Sequence, residues 1–122
     1  MMLKLLIADD DANLRDFLKE ELTNAGFTVT TVGNGADVIV KAAEQPFDMI
    51  LIDMLMPGLD GIQVIRVLRK ITPSIPIIGL TGYVGRGYMA QAMDLDVTTL
   101  TKPIVVPELI KEINDTLKTN KK

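Results

Sequence analysis

Five short apolar runs punctuate the chain, at residues 3–8, 28–32, 49–52, 75–80 and 97–100. Most are continuously apolar rather than alternating, the pattern of strands buried on both faces of a parallel sheet. Between them the period changes to that of helices. Residues 12–25 set Leu14, Phe17, Leu18, Glu21 and Leu22 near one stripe and run into Gly26, a residue suited to the left-handed position that closes a helix. A second helix is predicted over 35–44, stopping before Pro46, and a third carries Ile62, Ile65, Val67, Leu68 and Ile71 up to Pro73. The last begins at Pro107, well placed in a first turn, and presents Leu109, Ile110, Ile113 and Leu117 as its apolar face. Residues 85–93 predict one more helix, short and mobile because Gly85 and Gly87 each cost up to about 1 kcal/mol relative to alanine.

Strand and helix thus alternate five times, with connections too short for anything but right-handed crossovers. The expectation is an open, doubly wound α/β domain: a five-stranded parallel sheet with five helices, spanning 1–122 as one unit with 118–122 as a frayed tail. At 122 residues and 48% hydrophobic, one core suffices without metal or disulfide staples. The absence of cysteine removes disulfides, zinc-thiolate sites and thiol nucleophiles. The absence of histidine removes the commonest general base and any phosphohistidine of the chain's own. A net charge of −3 argues against a nucleic-acid surface. The apolar run before Asp9, Asp10 and Asp11 is too short for a secretory signal, and no stretch reaches membrane-spanning length. A cytoplasmic protein with no membrane or direct nucleic-acid partner is expected.

In doubly wound sheets, ligands bind beyond the carboxyl ends of the strands. The first strand runs into Asp9 and Asp10, the third into Asp53, the fourth into Thr81, and the fifth through Thr101 to Lys102 and Pro103. With strands 1 and 3 adjacent, that edge gathers three carboxylates, whose mutual repulsion asks for a shared cation. Magnesium fits, since it prefers oxygen ligands and keeps several waters beside one or two carboxylates, here Asp10 and Asp53 with Asp9 behind them. An acyl phosphate formed on one carboxylate would find its oxygens stabilised by the metal, the Lys102 ammonium and the Thr81 hydroxyl. Asp11 reads as the cap of the first helix. Met49, Met54, Met56, Met89 and Met93 read as gap-filling core or adaptable surface, Tyr83 and Tyr88 as packing residues or partner anchors, and Lys121-Lys122 as a solvated end.

At these residues the chain resembles the receiver domain of bacterial two-component response regulators, over essentially its whole length, in the stand-alone, chemotaxis-type form. The resemblance implies a flavodoxin-like strand order, 2-1-3-4-5. In that family the acidic pair after strand 1, here Asp9-Asp10, binds magnesium together with the phosphoacceptor after strand 3. The acceptor corresponds to Asp53, within an apolar strand followed by Asp, three residues, Pro57 and then glycine. The main-chain carbonyl of Leu55 would complete the metal site. Thr81 matches the switch hydroxyl, and Lys102-Pro103 matches a pair whose peptide bond the family usually holds cis. Two positions depart from the pattern: Thr99 stands where an aromatic residue usually swings, and Gly82 replaces the commoner alanine or serine after the threonine.

The resemblance implies a regulatory phosphoacceptor, not an enzyme, that assists its own phosphorylation and dephosphorylation. A phosphohistidine of a histidine kinase or phosphotransfer protein would donate to Asp53. The charge gained would draw Thr81 inward and alter the face made by residues 85–93, the fifth strand and the last helix, controlling a partner protein or relaying phosphate onward. With the chain ending after the last helix, the output is expected to be another protein, the state monomeric or a phosphorylation-dependent dimer. Leu55 and Tyr83 occupy the positions that help place attacking water, and neither suits the task, so slow self-dephosphorylation is expected. Two other readings compete. One is a haloacid-dehalogenase-like phosphatase with Asp9 as nucleophile and Asp11 as acid, although the chain is short and lacks a cap. The other is a flavin-binding domain, although three aspartates after strand 1 would repel a phosphate.

Overall fold

The computed structural model describes residues 2–56, 58, 60–82 and 94–119. Five strands, β1 (Lys4–Ala8), β2 (Thr28–Val32), β3 (Met49–Asp53), β4 (Ile77–Thr81) and β5 (Thr98–Thr101), pair in parallel in the order β2-β1-β3-β4-β5. Helices α1 (Ala12–Asn24), α2 (Gly35–Glu44), α3 (Gly61–Ile71) and α4 (Val106–Thr119) pack on its two faces. These are four helices among the described residues. The fifth expected helix, over 85–93, lies outside them, as do Pro57, Tyr83, Tyr88, Met89, Met93, Lys121 and Lys122.

The central strands are apolar because both of their faces are covered. Leu5 to Ala8 and all of β3 and β4 are buried. Alternate residues serve opposite layers. Leu6, Ile50 and Ile52 meet Val38 of α2 and Ile62, Ile65 and Leu68 of α3. Leu5, Ile7, Leu51, Ile78 and Leu80 meet Leu18 and Leu22 of α1 and Leu109 and Ile113 of α4. Burying each such side chain contributes roughly 1.5–3 kcal/mol, which is why the sheet order is fixed by its middle strands. The edge strands β2 and β5 are threonine-rich and only partly covered.

The ends of the elements follow local chemistry. Asp11 caps α1, its carboxylate accepting from the N–H groups of Asn13 and Leu14. At the other end Gly26, with φ +101°, donates to the Thr23 carbonyl while Phe27 donates to that of Leu22, a paired closure that needs the left-handed residue. β4 begins at Ile77 rather than at 75. Pro76 has no N–H for the ladder, and the Ile75 N–H turns back to the Thr72 carbonyl. β3 and β5 each run one residue further than their apolar runs, to Asp53 and Thr101. α4 starts at Val106, one residue before Pro107, which still sits in the first turn where no N–H is required. Lys118 belongs to α4 rather than to a frayed tail.

Three apolar residues assigned to buried stripes are exposed. Phe17 is 48% exposed because α1 buries only the narrow i, i+4 line of Leu18 and Leu22, one residue away around the helix. Val67 and Ile71 lie off the Ile65–Leu68 line that α3 turns to the sheet. Met49, Met54 and Met56 are all buried, as gap-filling core.

Candidate functional site

Strand register builds the site. Ala8 pairs with Ile52 and Asp53 with Leu80, so Asp9, one residue past β1, stands level with Asp53 at the end of β3. Thr81 pairs with Thr101, and the Thr81 carbonyl accepts from the N–H of Lys102. The carboxyl edge of four strands therefore delivers Asp9, Asp10, Asp53, Thr81 and Lys102 to one place. Carboxylate oxygens of Asp9, Asp10 and Asp53 lie within 4.8 Å of one another. Asp9 and Asp53 are buried, and Asp10 is exposed. Lys102 reaches across them, its Nζ 3.0 Å from Asp9 Oδ2 and 3.3 Å from Asp53 Oδ2. The Lys102-Pro103 peptide bond is cis.

Each acid is held differently. Asp9 accepts at Oδ1 from the Asp11 N–H at 2.9 Å and at Oδ2 from Lys102. Asp53 accepts at Oδ1 from the Leu55 N–H at 3.1 Å, which leaves Oδ2 facing the ammonium. Burial lifts the Asp53 carboxyl from its ordinary 3.8 to about 6; the Leu55 hydrogen bond opposes this, the Asp9 charge adds to it, and Lys102 offsets part of it. For Lys102, burial alone would lower the pKa, but the Asp9 hydrogen bond and the charges of Asp53 and Asp9 raise it. One ammonium does not balance three carboxylates. The donor set is all oxygen, clustered and electron-rich, and it fits a hard divalent cation such as magnesium.

Thr81 is buried beside the cluster at the end of β4. Thr99, in place of an aromatic residue, is half-buried on β5 and lies near Gly79, where a built Cβ would come within 3.4 Å of its Cγ2. Gly82 is exposed. Asp11 caps α1 through Oδ1 and is not part of the cluster of Asp9, Asp10 and Asp53.

Sequence reasoning named the Leu55 carbonyl but missed the other groups that act through the backbone. Nothing in the side chain of Leu55 announces that its N–H holds Asp53. Arg15 was also unforeseen: its Nη1 donates to the main-chain carbonyl of Asp9 at 2.6 Å. Its position in the first turn of α1, where a cation opposes the helix dipole, was the one available signal. Met54, next to the acceptor, fills the space between α3 and β4: a Cβ on Gly61 would lie 2.7 Å from the Met54 Cα, and one on Gly79 would lie 2.8 Å from its Sδ.

Residues 5–114 match the family model of the response regulator receiver domain. The chain is 34% identical over 117 residues to the response regulator receiver protein CpdR of Brucella abortus, covering 95% of this chain and 98% of that protein. It is 32% identical over 117 residues to the uncharacterized transcriptional regulatory protein YkoG of Bacillus subtilis, covering 95% of this chain but only 51% of that longer relative. Among solved structures, the response regulator TrrA of Thermotoga maritima in complex with Mg(2+)-BeF superposes with a TM-score of 0.86 at 30% identity, covering 94% of this chain and 99% of that one. Among the described residues, no helix is long and apolar enough to cross a membrane.

Proposed function

This chain belongs to the response regulator receiver family, and from that premise we propose that it is a phosphorylation-controlled signalling switch whose acceptor is Asp53. The observation that carries the reading is the convergence of Asp53 Oδ2 and Lys102 Nζ within an acidic cluster at one sheet edge. A carboxylate oxygen of Asp53 attacks the phosphorus of a phosphohistidine on a histidine kinase or phosphotransfer protein. The P–N bond breaks as the P–O bond forms, and the imidazole leaves with its electron pair and takes a proton. Asp9, Asp10, Asp53 and the Leu55 carbonyl would hold magnesium, which supplies charge neutralisation for the phosphoryl oxygens. Lys102 stays paired to Asp9 and steers a phosphoryl oxygen through its remaining donors. The Thr81 hydroxyl, one residue beyond the strand pair Asp53–Leu80, donates to another.

The acyl phosphate adds about −1.5 to −2 charge to this edge, and drawing Thr81 inward would change the face made by β5 and α4. That face would control a partner protein or relay the phosphoryl group, with a cytoplasmic location as part of the same proposal. The domain is a regulatory acceptor rather than a turnover enzyme. The place of Asp11 as the α1 cap, outside the acidic cluster, favours this over a phosphatase. To test it, the protein is incubated with acetyl phosphate and magnesium and its intact mass followed. One phosphoryl adduct is expected, lost in EDTA and in Asp53→Asn; no adduct, or an undiminished one in the variant, contradicts the reading.

A further inference from the structure

We propose that Arg15 is a positioning residue for magnesium, fixing the Asp9-Asp10 peptide so that Asp10 faces the cluster; the inference rests on the magnesium reading of that cluster. Asp9 is held at both carboxylate oxygens, and Asp53 by Leu55 and Lys102. Asp10 differs. It is exposed, and among the described residues no hydrogen bond is formed to its carboxylate. Its place within 4.8 Å of the other two acids therefore depends on where its backbone points it. The peptide unit that sets this is the one whose oxygen is the Asp9 carbonyl, and Arg15 Nη1 holds that oxygen at 2.6 Å.

The clamp is built from two loops. Helical side chains lean toward the N-terminus of their helix, so Arg15 in the first turn of α1 can reach back six residues to Asp9. The guanidinium lies against Gly33, just past β2: a Cβ built there would stand 3.0 Å from Nη1, 3.4 Å from Cζ and 3.7 Å from Nη2. The Asp9 N–H in turn donates to the Val32 carbonyl at 3.2 Å. The loop after β1 is thus held on both sides of Asp9, its N–H on the Val32 carbonyl and its C=O on Arg15. A cation in the first turn of a helix is electrostatically unfavourable by itself, so Arg15 does not serve α1 there. The planar, multidentate guanidinium is suited to span a carbonyl and a glycine surface, which a lysine ammonium does only as a point charge.

The test combines Arg15→Ala, Arg15→Lys and Gly33→Ala with magnesium titrations followed by amide chemical shifts, and urea unfolding in EDTA as a separate readout. Gly33 carries no left-handed strain, so alanine there acts through the contact with Arg15. Outer-sphere partners of metal sites typically govern roughly ten- to hundredfold in affinity. Arg15→Ala is expected to weaken magnesium binding by about tenfold, Arg15→Lys to recover part of the loss, and Gly33→Ala to weaken it in the wild-type background but not further in Arg15→Ala. Unchanged magnesium affinity in Arg15→Ala, or equal effects of Gly33→Ala in both backgrounds, overturns the positioning role while leaving the metal site intact. Should Arg15→Ala fail to fold, Gly33→Ala alone decides, with unaltered affinity as the contradicting result. A wild-type protein that binds no magnesium overturns both this inference and the reading beneath it.

Discussion

Replacing Asp53 by asparagine should make the metal-free protein more stable at neutral pH, although it removes the residue on which the proposed function depends. Asn keeps an oxygen for the Leu55 N–H and approximates the protonated acid without its charge. The carboxyl is held at about 6 against an ordinary 3.8. At about 1.4 kcal/mol per pH unit, that difference makes ionised Asp53 roughly 3 kcal/mol less favourable in the folded than in the unfolded chain. The sign follows from proton uptake. Below the unfolded value both states hold the proton and the cost is absent; as pH rises through the folded value the cost becomes complete. Urea unfolding in EDTA at about pH 7.5 should therefore favour Asp53→Asn by up to about 3 kcal/mol, at an unchanged denaturant slope, with the advantage shrinking toward zero near pH 4. Comparing variant with wild type at each pH cancels the carboxylates outside the cluster. Magnesium at a thousand times its dissociation constant should reverse the order, since a ligand at that excess stabilises its protein by about 4.1 kcal/mol. A variant no more stable than wild type at neutral pH, or an advantage independent of pH, refutes the reasoning that Asp53 sits under electrostatic strain.

Three further outcomes are expected. Lys102→Met, which leaves Asp9 and Asp53 buried without their cation, should lower stability in EDTA by about 3 kcal/mol, with magnesium restoring most of it; unfolding curves with and without the ion check this. Gly61→Ala should destabilise more than Gly79→Ala, because the new Cβ meets the Met54 backbone in the first case and the end of its flexible side chain in the second. Each overpacking cost falls within roughly 1–3 kcal/mol, read from unfolding midpoints. Leu55→Asn should shorten the lifetime of the phosphorylated protein several-fold, since an exposed amide two residues past the acceptor can orient water where the 43%-exposed leucine cannot. An unchanged decay of the phosphorylated mass would contradict this.

The sheet was legible because burial on both faces leaves a simple mark: β1, β3 and β4 are apolar runs, and the residue that breaks each run is the one placed at the edge. Asp9, Asp53 and Thr81 could be found for that reason, and Lys102 through the Pro103 beside it. Helix faces were less legible. Phe17 and Ile71 satisfy a helical period yet stand outside the contact line, since hydrophobic residues are not confined to the core. Pattern alone also overlooked the backbone groups. Leu55 and Arg15 act through an N–H and toward a carbonyl, atoms present in almost every residue, and only the path of the chain says which of them matter. The role of Met54 depends on the glycines at 61 and 79, eight and twenty-six residues past the acceptor, which leave room for it.

The most direct measurement is to locate the phosphoryl group. After phosphorylation with acetyl phosphate and magnesium, borohydride reduces an aspartyl phosphate to homoserine, and peptide mass spectrometry identifies the altered residue. Homoserine is expected at position 53, with Asp9 and Asp10 untouched. Homoserine at position 9, or no acyl phosphate on any of the three acids, contradicts it.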